Sequence, residues 1–265
     1  MSDNLIYKKK NIFEESSEHG EIFAVSDRYI EFLNTCKTER TCTRYFVERA
    51  KKNGFKALDF KKNLKPGDKF YALNRDKSVF FGIMGSNPES DGIHYCAAHI
   101  DSPRLDLKPQ PLCEDNGIAM LKTHYYGGIK KYQWTALPLE MEGVAVTRDG
   151  KTVDFSQNGY TFCITDLLPH LASEQAGKTL GKAIEGEDLR IICGTIGGQT
   201  EDNDKVKFNV LKILNERYGI TERDLICAEI SFVPQLPASS VGFDKSLIGA
   251  YGHDDRICAW TAFEA

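Results

Sequence analysis

The sequence predicts the beginning of an α/β layer fold followed by a long, mostly β module. Three observations carry this. Residues 20–53 show helical spacing, the run 92–99 is a strand-forming stretch that ends in His99, and from about 107 to 245 short β-rich runs recur between turn signals. Helices followed by strands, ending in a buried strand, open an α/β layer.

Each element follows from local chemistry. Ile22, Val25, Tyr29, Phe32, Leu33 and Cys36 recur at spacings of three and four, the repeat of one helix face. The segment "KTER" at 37–40 supplies a turn and an N-cap at Thr38 or Thr41, and a second amphipathic stretch runs through Cys42, Tyr45, Phe46, Arg49 and Ala50. Asn53-Gly54 closes it, since glycine is the usual residue just past a helix end. "DKFYALNRDKSVFFGIMG" reads as two strands joined at Asn74-Arg75-Asp76. The strand 92–99 follows. Within the β-rich stretch, "KVKFNVLKILNERYG" at 205–219 is one helix, with Val206, Val210, Leu211, Leu214 and Tyr218 on one face. The last residues turn at Gly252 into a helix whose packed face is Cys258, Ala259, Ala262 and Phe263.

Composition narrows the function. The chain has 265 residues, 41% hydrophobic and 27% charged, enough for one large domain or two modest ones. A net charge of −4 and the lack of a basic stripe with interleaved aromatics argue against a nucleic-acid partner. Lys8-Lys9-Lys10 is too short to alter this and reads as a solvated terminus. No apolar run approaches the roughly 20 residues of a membrane span, and "MSDNLIYKKKNIFEE" has no apolar core like that of a signal peptide. Eight scattered cysteines without a CxxC pair read as reduced core thiols of a cytoplasmic protein.

The chemistry concentrates in two places. In a strand, residues i and i+2 point to one face, so His99 and Asp101 converge. A carboxylate beside an imidazole holds its tautomer, as a metal-bound histidine requires. Pro103 then favours leaving the sheet, and C-terminal strand ends are where open α/β sheets place ligands. Taken alone, the pair also reads as a strand end satisfied by local hydrogen bonds. "GHDDR" at 252–256 likewise reads as a solvated turn or a helix N-terminus, where acids suit the macrodipole.

"AAHIDSPRLDLKP" at 97–109 resembles the "HxDSPxLxxKP" signature of the aspartyl aminopeptidase family of dinuclear zinc exopeptidases. "VGFDKSLIGAYGHDDRICAW" at 241–260 is similar to that family's second metal motif, and "LLPHLA" at 167–172 and "KTER" are further points of likeness, in the expected order from about residue 5 onward. The resemblance implies that His99 binds one of two metal ions, that Asp254 bridges both, and that Asp101 orients His99 from behind. It implies that His170 reaches the active site of a neighbouring subunit and steadies the reacting carbonyl. His253 and Asp255 are left as local hydrogen-bonders, and His94 and His124 as strand residues without a role. The metal implied is Zn2+, two per complete site, with Co2+ or Mn2+ also suited to mixed nitrogen and oxygen donors.

The resemblance further implies an incomplete zinc-exopeptidase-like catalytic domain interrupted by a β-rich dimerisation domain. Residues 1–106 would open the catalytic domain, 107–245 would be the dimerisation and lid insert, and 246–265 would return to the catalytic domain. The reaction implied is removal of single N-terminal amino acids from peptides by a homo-oligomer, a dimer that packs further into a dodecameric shell. The family also uses a Glu-Glu pair, another acidic ligand and a histidine downstream of the DDR motif, and Asp254 stands eleven residues before the last residue here. The expectation is thus the N-terminal half of such an enzyme, without the general base. The alternative is a truncated, inactive assembly protein of the same family. "YYGGIKKYQW" also departs from the relatives' glycine- and tryptophan-rich segment, continuing as "TALPLEME" where many have a charged "DRDL"-like run.

Overall fold

A computed structural model describes residues 7, 9–156, 159–201 and 203–265; Lys8 of the lysine run lies outside them. A short helix α1 (Ile12–Glu15) leads into α2 (His19–Thr35) and α3 (Glu39–Lys52). Tyr29, Phe32 and Leu33 of α2 are buried, and each such side chain contributes roughly 1.5–3 kcal/mol. Thr38 is the N-cap of α3 and exchanges bonds with Thr41 in a capping box. At the other end Gly54 takes a positive φ of 85°. The strands β1 (Lys56–Ala57), β2 (Lys69–Asn74) and β3 (Ser78–Ile83) form a three-stranded sheet. β2 and β3 are the expected hairpin, turning through Arg75 and Asp76 at positive φ.

After a one-turn helix α4 (Pro88–Asp91), the expected buried strand is not formed. Residues 92–100 are non-ladder chain, with Ile93 84% and Tyr95 73% exposed. Their composition suits a strand, but among the described residues no neighbour pairs with them. A strand exists only where a ladder partner does.

The long β4 (Arg104–Asp115) begins a six-stranded sheet with β5 (Ile118–Tyr126), β6 (Leu139–Val146), β7 (Thr152–Asp154), β8 (Arg190–Gly194) and β9 (Glu229–Pro234). Its order is β7-β6-β9-β4-β5-β8, and every pairing is antiparallel. Such a sheet can pack one face and leave the other wet. Helix α6 (Lys205–Tyr218) follows the four-residue α5 (Ser173–Ala176) and buries Val206 and Val210. Gly219 at φ 70° ends it in the left-handed cap. A β10–β11 hairpin (Ser239–Val241, Leu247–Gly249) leads to α7 (His253–Glu264). Asp254 and Asp255 are non-helical, so the regular turns start later than Gly252 suggests. The packed face is Arg256, Ala259, Trp260 and Phe263, while Cys258 is exposed.

Two apolar cores result. One gathers Leu105, Leu139, Phe155, Leu189, Ile191 and Phe232 around the six-stranded sheet. The other joins α2 and α3 to α7 through Phe32, Phe46 and Trp260, and Ala98 and Ile100 pack on it. All eight cysteines are free, but only Cys36 and Cys42 are buried; Cys96, Cys227 and Cys258 are exposed, against the expectation of core thiols. No helix among the described residues is long and apolar enough to cross a membrane.

Polar contacts join the two bodies along α3. Lys37 Nζ lies 2.5 Å from Glu140, Arg40 pairs with Glu229 at 3.0 Å, and Arg44 pairs with Asp154 at 2.6 Å. Glu142, 3% exposed, accepts from Thr38 Oγ1 at 3.1 Å. Burial pushes its carboxyl up to about 7, with Glu140 and Asp154 adding to the rise and Thr38 and Lys37 opposing it.

Candidate metal centre

His99 stands at the end of the extended segment and Asp254 in the non-helical start of α7, 155 positions apart in sequence. Two features hold these elements together. Ser102 Oγ donates to the Asp254 carbonyl at 3.1 Å, and Tyr251 Oη donates to the Pro103 carbonyl at 2.8 Å. The turn before Asp254 is fixed by Arg256, which is fully buried and donates to the carbonyls of Gly252, Tyr251, Cys36 and Leu33. Gly252 has φ 75°, and a Cβ there would meet the Arg256 guanidinium and, at 2.8 Å, Ser102 Oγ. Both the backbone angle and the space require glycine. The Asp254–Asp255 peptide bond is cis.

Three of the four expected site residues come together. His99 Nδ1 lies 3.1 Å from Asp101 Oδ1 and 3.1 Å from the Asp101 carbonyl. His99 Nε2 lies 3.2 Å from Asp254 Oδ1. With Nδ1–H donated to Asp101, the lone pair of Nε2 is directed at the Asp254 side. Burial draws the His99 pKa down, but attraction to Asp101 and the bonds to it outweigh this, and the net displacement is upward. Asp101 is pushed up by burial, yet the Tyr126 hydroxyl at 2.7 Å and His99 bring it below its ordinary range.

The donor set fits a zinc ion as far as it goes. Two ligands at ~2.0 Å in a tetrahedron stand about 3.3 Å apart, close to the 3.2 Å between Nε2 and Oδ1. The Asp254 side chain is 94% exposed and open to further partners. Among the described residues no third His, Cys, Asp or Glu joins the pair to form a metal-holding group.

His170 is not brought to this site by any contact described. It lies on the turn Pro169–Leu171, exposed beside Leu167, Leu168 and Leu171, each more than half exposed. Of the residues set aside, His253 bonds the Ile248 carbonyl nearby (3.1 Å) and also, 224 positions away on α2, Tyr29 Oη (3.0 Å), so it ties two elements and is more than a local hydrogen-bonder. His124 is an exposed residue of β5, and His94 lies in the unpaired segment. Sequence spacing missed Ser102, Tyr126 and Arg256. Tyr126 reaches Asp101 only because β4 and β5 pair Arg104 with Tyr126, and a hairpin register is not readable from a motif. A cleft of ≈ 530 Å³ opens beside Asp254, lined also by Pro103, Lys130, Gln133 and Trp134.

Comparison with known proteins places this geometry in context. The family model described as "Aminopeptidase I zinc metalloprotease (M18)" matches residues 32–265. A curated relative from Clostridium acetobutylicum, "Probable M18 family aminopeptidase 1", is 46% identical over 276 residues, covering all of this chain and 59% of the relative. The crystal structure of an M18 aminopeptidase from Thermotoga maritima superposes with a TM-score of 0.91 at 43% identity, over 97% of this chain and 57% of that one. At 21% identity, the Saccharomyces cerevisiae mApe1 dodecamer shares the fold, with a TM-score of 0.65 over 92% of this chain and 56% of that one. This chain thus spans less than two thirds of the length of each.

Proposed function

The chain belongs to the aminopeptidase I zinc metalloprotease (M18) family, and on that premise we propose that it carries part of the site of a metal-dependent aminopeptidase, which removes single N-terminal residues from peptides. The observation that supports this most is the pairing of His99 Nε2 with Asp254 Oδ1 at 3.2 Å while Nδ1 is held by Asp101. In this reading His99 and Asp254 would be the residues that hold the metal, and Asp101 fixes the imidazole tautomer. When bound, zinc polarises the scissile carbonyl and lowers the pKa of a water to about 7.

The protein's own groups do the rest. Asp101 keeps Nδ1 protonated and so leaves Nε2 free to ligate. Ser102 holds the Asp254 carbonyl and Arg256 the Gly252 and Tyr251 carbonyls just before it, so the backbone that carries the carboxylate is fixed. The cleft beside Asp254 receives the peptide against Trp134 and Gln133. Two protein donors fall short of the three or four of a zinc site.

We assign residues 1–106 and 246–265 to the catalytic part and 107–245 to an inserted dimerisation module. His170, exposed on that module among three leucines, acts in this reading on a partner subunit's site within a homo-oligomer. Zinc is the ion proposed, two per site, and the free thiols suit a cytoplasmic setting. The test is His99→Ala and Asp254→Asn in the full-length protein. Both should abolish peptidase activity, and Asp254→Asn should lower bound zinc from two ions towards one or none. Two ions retained tightly in Asp254→Asn would remove the bridging role.

A further inference from the structure

Tyr126 is tied into the candidate metal centre by contacts that no role so far assigned to it explains. Its hydroxyl donates to Asp101 Oδ2 at 2.7 Å, while Asp101 Oδ1 faces His99. Each oxygen of the carboxylate thus has its own partner. An Asp carboxylate held through one oxygen keeps a broad torsion about its last bond; a donor on the second oxygen narrows it.

The phenol is itself held. The Arg104 guanidinium lies over the Tyr126 ring, 4.3 Å from its centroid. Arg104 is buried and pinned by Glu39 at 2.9 Å and Asp106 at 2.8 Å, and Asp106 accepts from Ser231 at 2.6 Å. Gly127, at φ 77°, packs against Pro103, where an added Cβ would lie 3.2 Å from Pro103 Cγ. The chain just after Tyr126 therefore rests on the segment that carries Asp101. A surface tyrosine that merely found the nearest acceptor would have neither the stacked cation nor the seated backbone.

We propose that Tyr126 is a positioning residue of the metal centre: it locks the Asp101 carboxylate so that His99 presents Nε2 towards Asp254, and Arg104 is its buttress. This rests on the reading of His99 as a zinc ligand. The hydroxyl acts through Asp101 and never touches the ion. Its effect belongs below the 10–100-fold that follows from removing a ligand's own hydrogen-bond partner.

The test is a double-mutant cycle for zinc affinity in the full-length protein, read by competition with a chromogenic chelator. Tyr126→Phe keeps the ring and its stacking on Arg104, so the fold is retained, and circular dichroism checks that. It should weaken zinc binding about 3–10-fold, with Asp101→Asn weakening it about 10–100-fold. The double variant should bind no more weakly than Asp101→Asn alone, because the hydroxyl works only through that carboxylate. Unchanged affinity in Tyr126→Phe, or strict additivity in the double variant, overturns the proposal. If His99→Ala leaves zinc affinity at the wild-type value, the metal reading fails with it, and that outcome is distinct from either of the others.

Discussion

Glu142→Gln gives a direct test of how the two bodies are joined. Glu142 is buried between α3 and the six-stranded sheet, with its carboxyl pushed from an ordinary 4.5 up to about 7. An acid with a raised folded pKa keeps a proton that the unfolded chain releases. Stability therefore falls as pH rises through the window from 4.5 to about 7, and the deficit is complete above it. At ~1.4 kcal/mol per pH unit, that displacement corresponds to roughly 3 kcal/mol. Glutamine is neutral at every pH and still accepts from Thr38, but its second amide N–H lacks a partner, at about 1 kcal/mol or more. The variant should thus be more stable than wild type by on the order of 2 kcal/mol near pH 8, and no more stable near pH 5. Urea unfolding followed by tryptophan fluorescence suits the purpose, since Trp134 lies in one core and Trp260 in the other. If the wild type and the variant show the same pH dependence of their midpoints, Glu142 is ionised throughout and the argument from burial fails.

Two further outcomes follow from named contacts. Gly252→Ala forces a non-glycine residue to φ 75° and drives its Cβ against Arg256 and Ser102; it should cost about 1–2 kcal/mol from the backbone alone and lower bound zinc, measured by thermal melting and metal analysis. His170→Phe in the full-length oligomer should lower kcat by about 10²–10³ with metal content intact, and mixing it with His99→Ala should restore some activity if the contact is between subunits. A fully active His170→Phe would reduce this histidine to an exposed surface residue.

Much of the framework was legible because it is local. The three-and-four spacing of Tyr29, Phe32 and Leu33 marks α2, Thr38 caps α3, and Asn74-Arg75-Asp76 turns the β2–β3 hairpin. Each needs only neighbours in sequence. Residues 92–100 misled for the opposite reason: β-forming side chains describe an aptitude, and pairing depends on what lies alongside. On α7, Ala259 and Phe263 pack as the spacing indicates, while Arg256 and Trp260 take the places given to Cys258 and Ala262, because the buried side is set by the α2 and α3 residues it meets, Arg256 through the Leu33 and Cys36 carbonyls. At the site, His99 and Asp101 meet although no strand carries them, held by direct bonds between the imidazole and Asp101 and not by strand alternation, and Asp254 joins them by a route visible only in three dimensions. Glu39 and Arg104 lie 65 positions apart, and no motif spans that distance.

The pairing of β4 with β9 has a mechanical consequence. The chain leaves the core of α2, α3 and α7 along β4 and comes back along β9, and these two leads are bonded side by side at Leu105–Phe232 and Asp106–Ser231. Just beyond, Ala238 is clamped to Asn34 of α2 by two hydrogen bonds. A body hung on one strand can swing and spin; one hung on two laterally fastened strands resists torsion and yields mainly about a single line. The Lys37, Arg40 and Arg44 ion pairs act on it as stays. Arg104 sits in that two-strand stem, touching both the Tyr126 ring and the Glu39 carboxylate of α3.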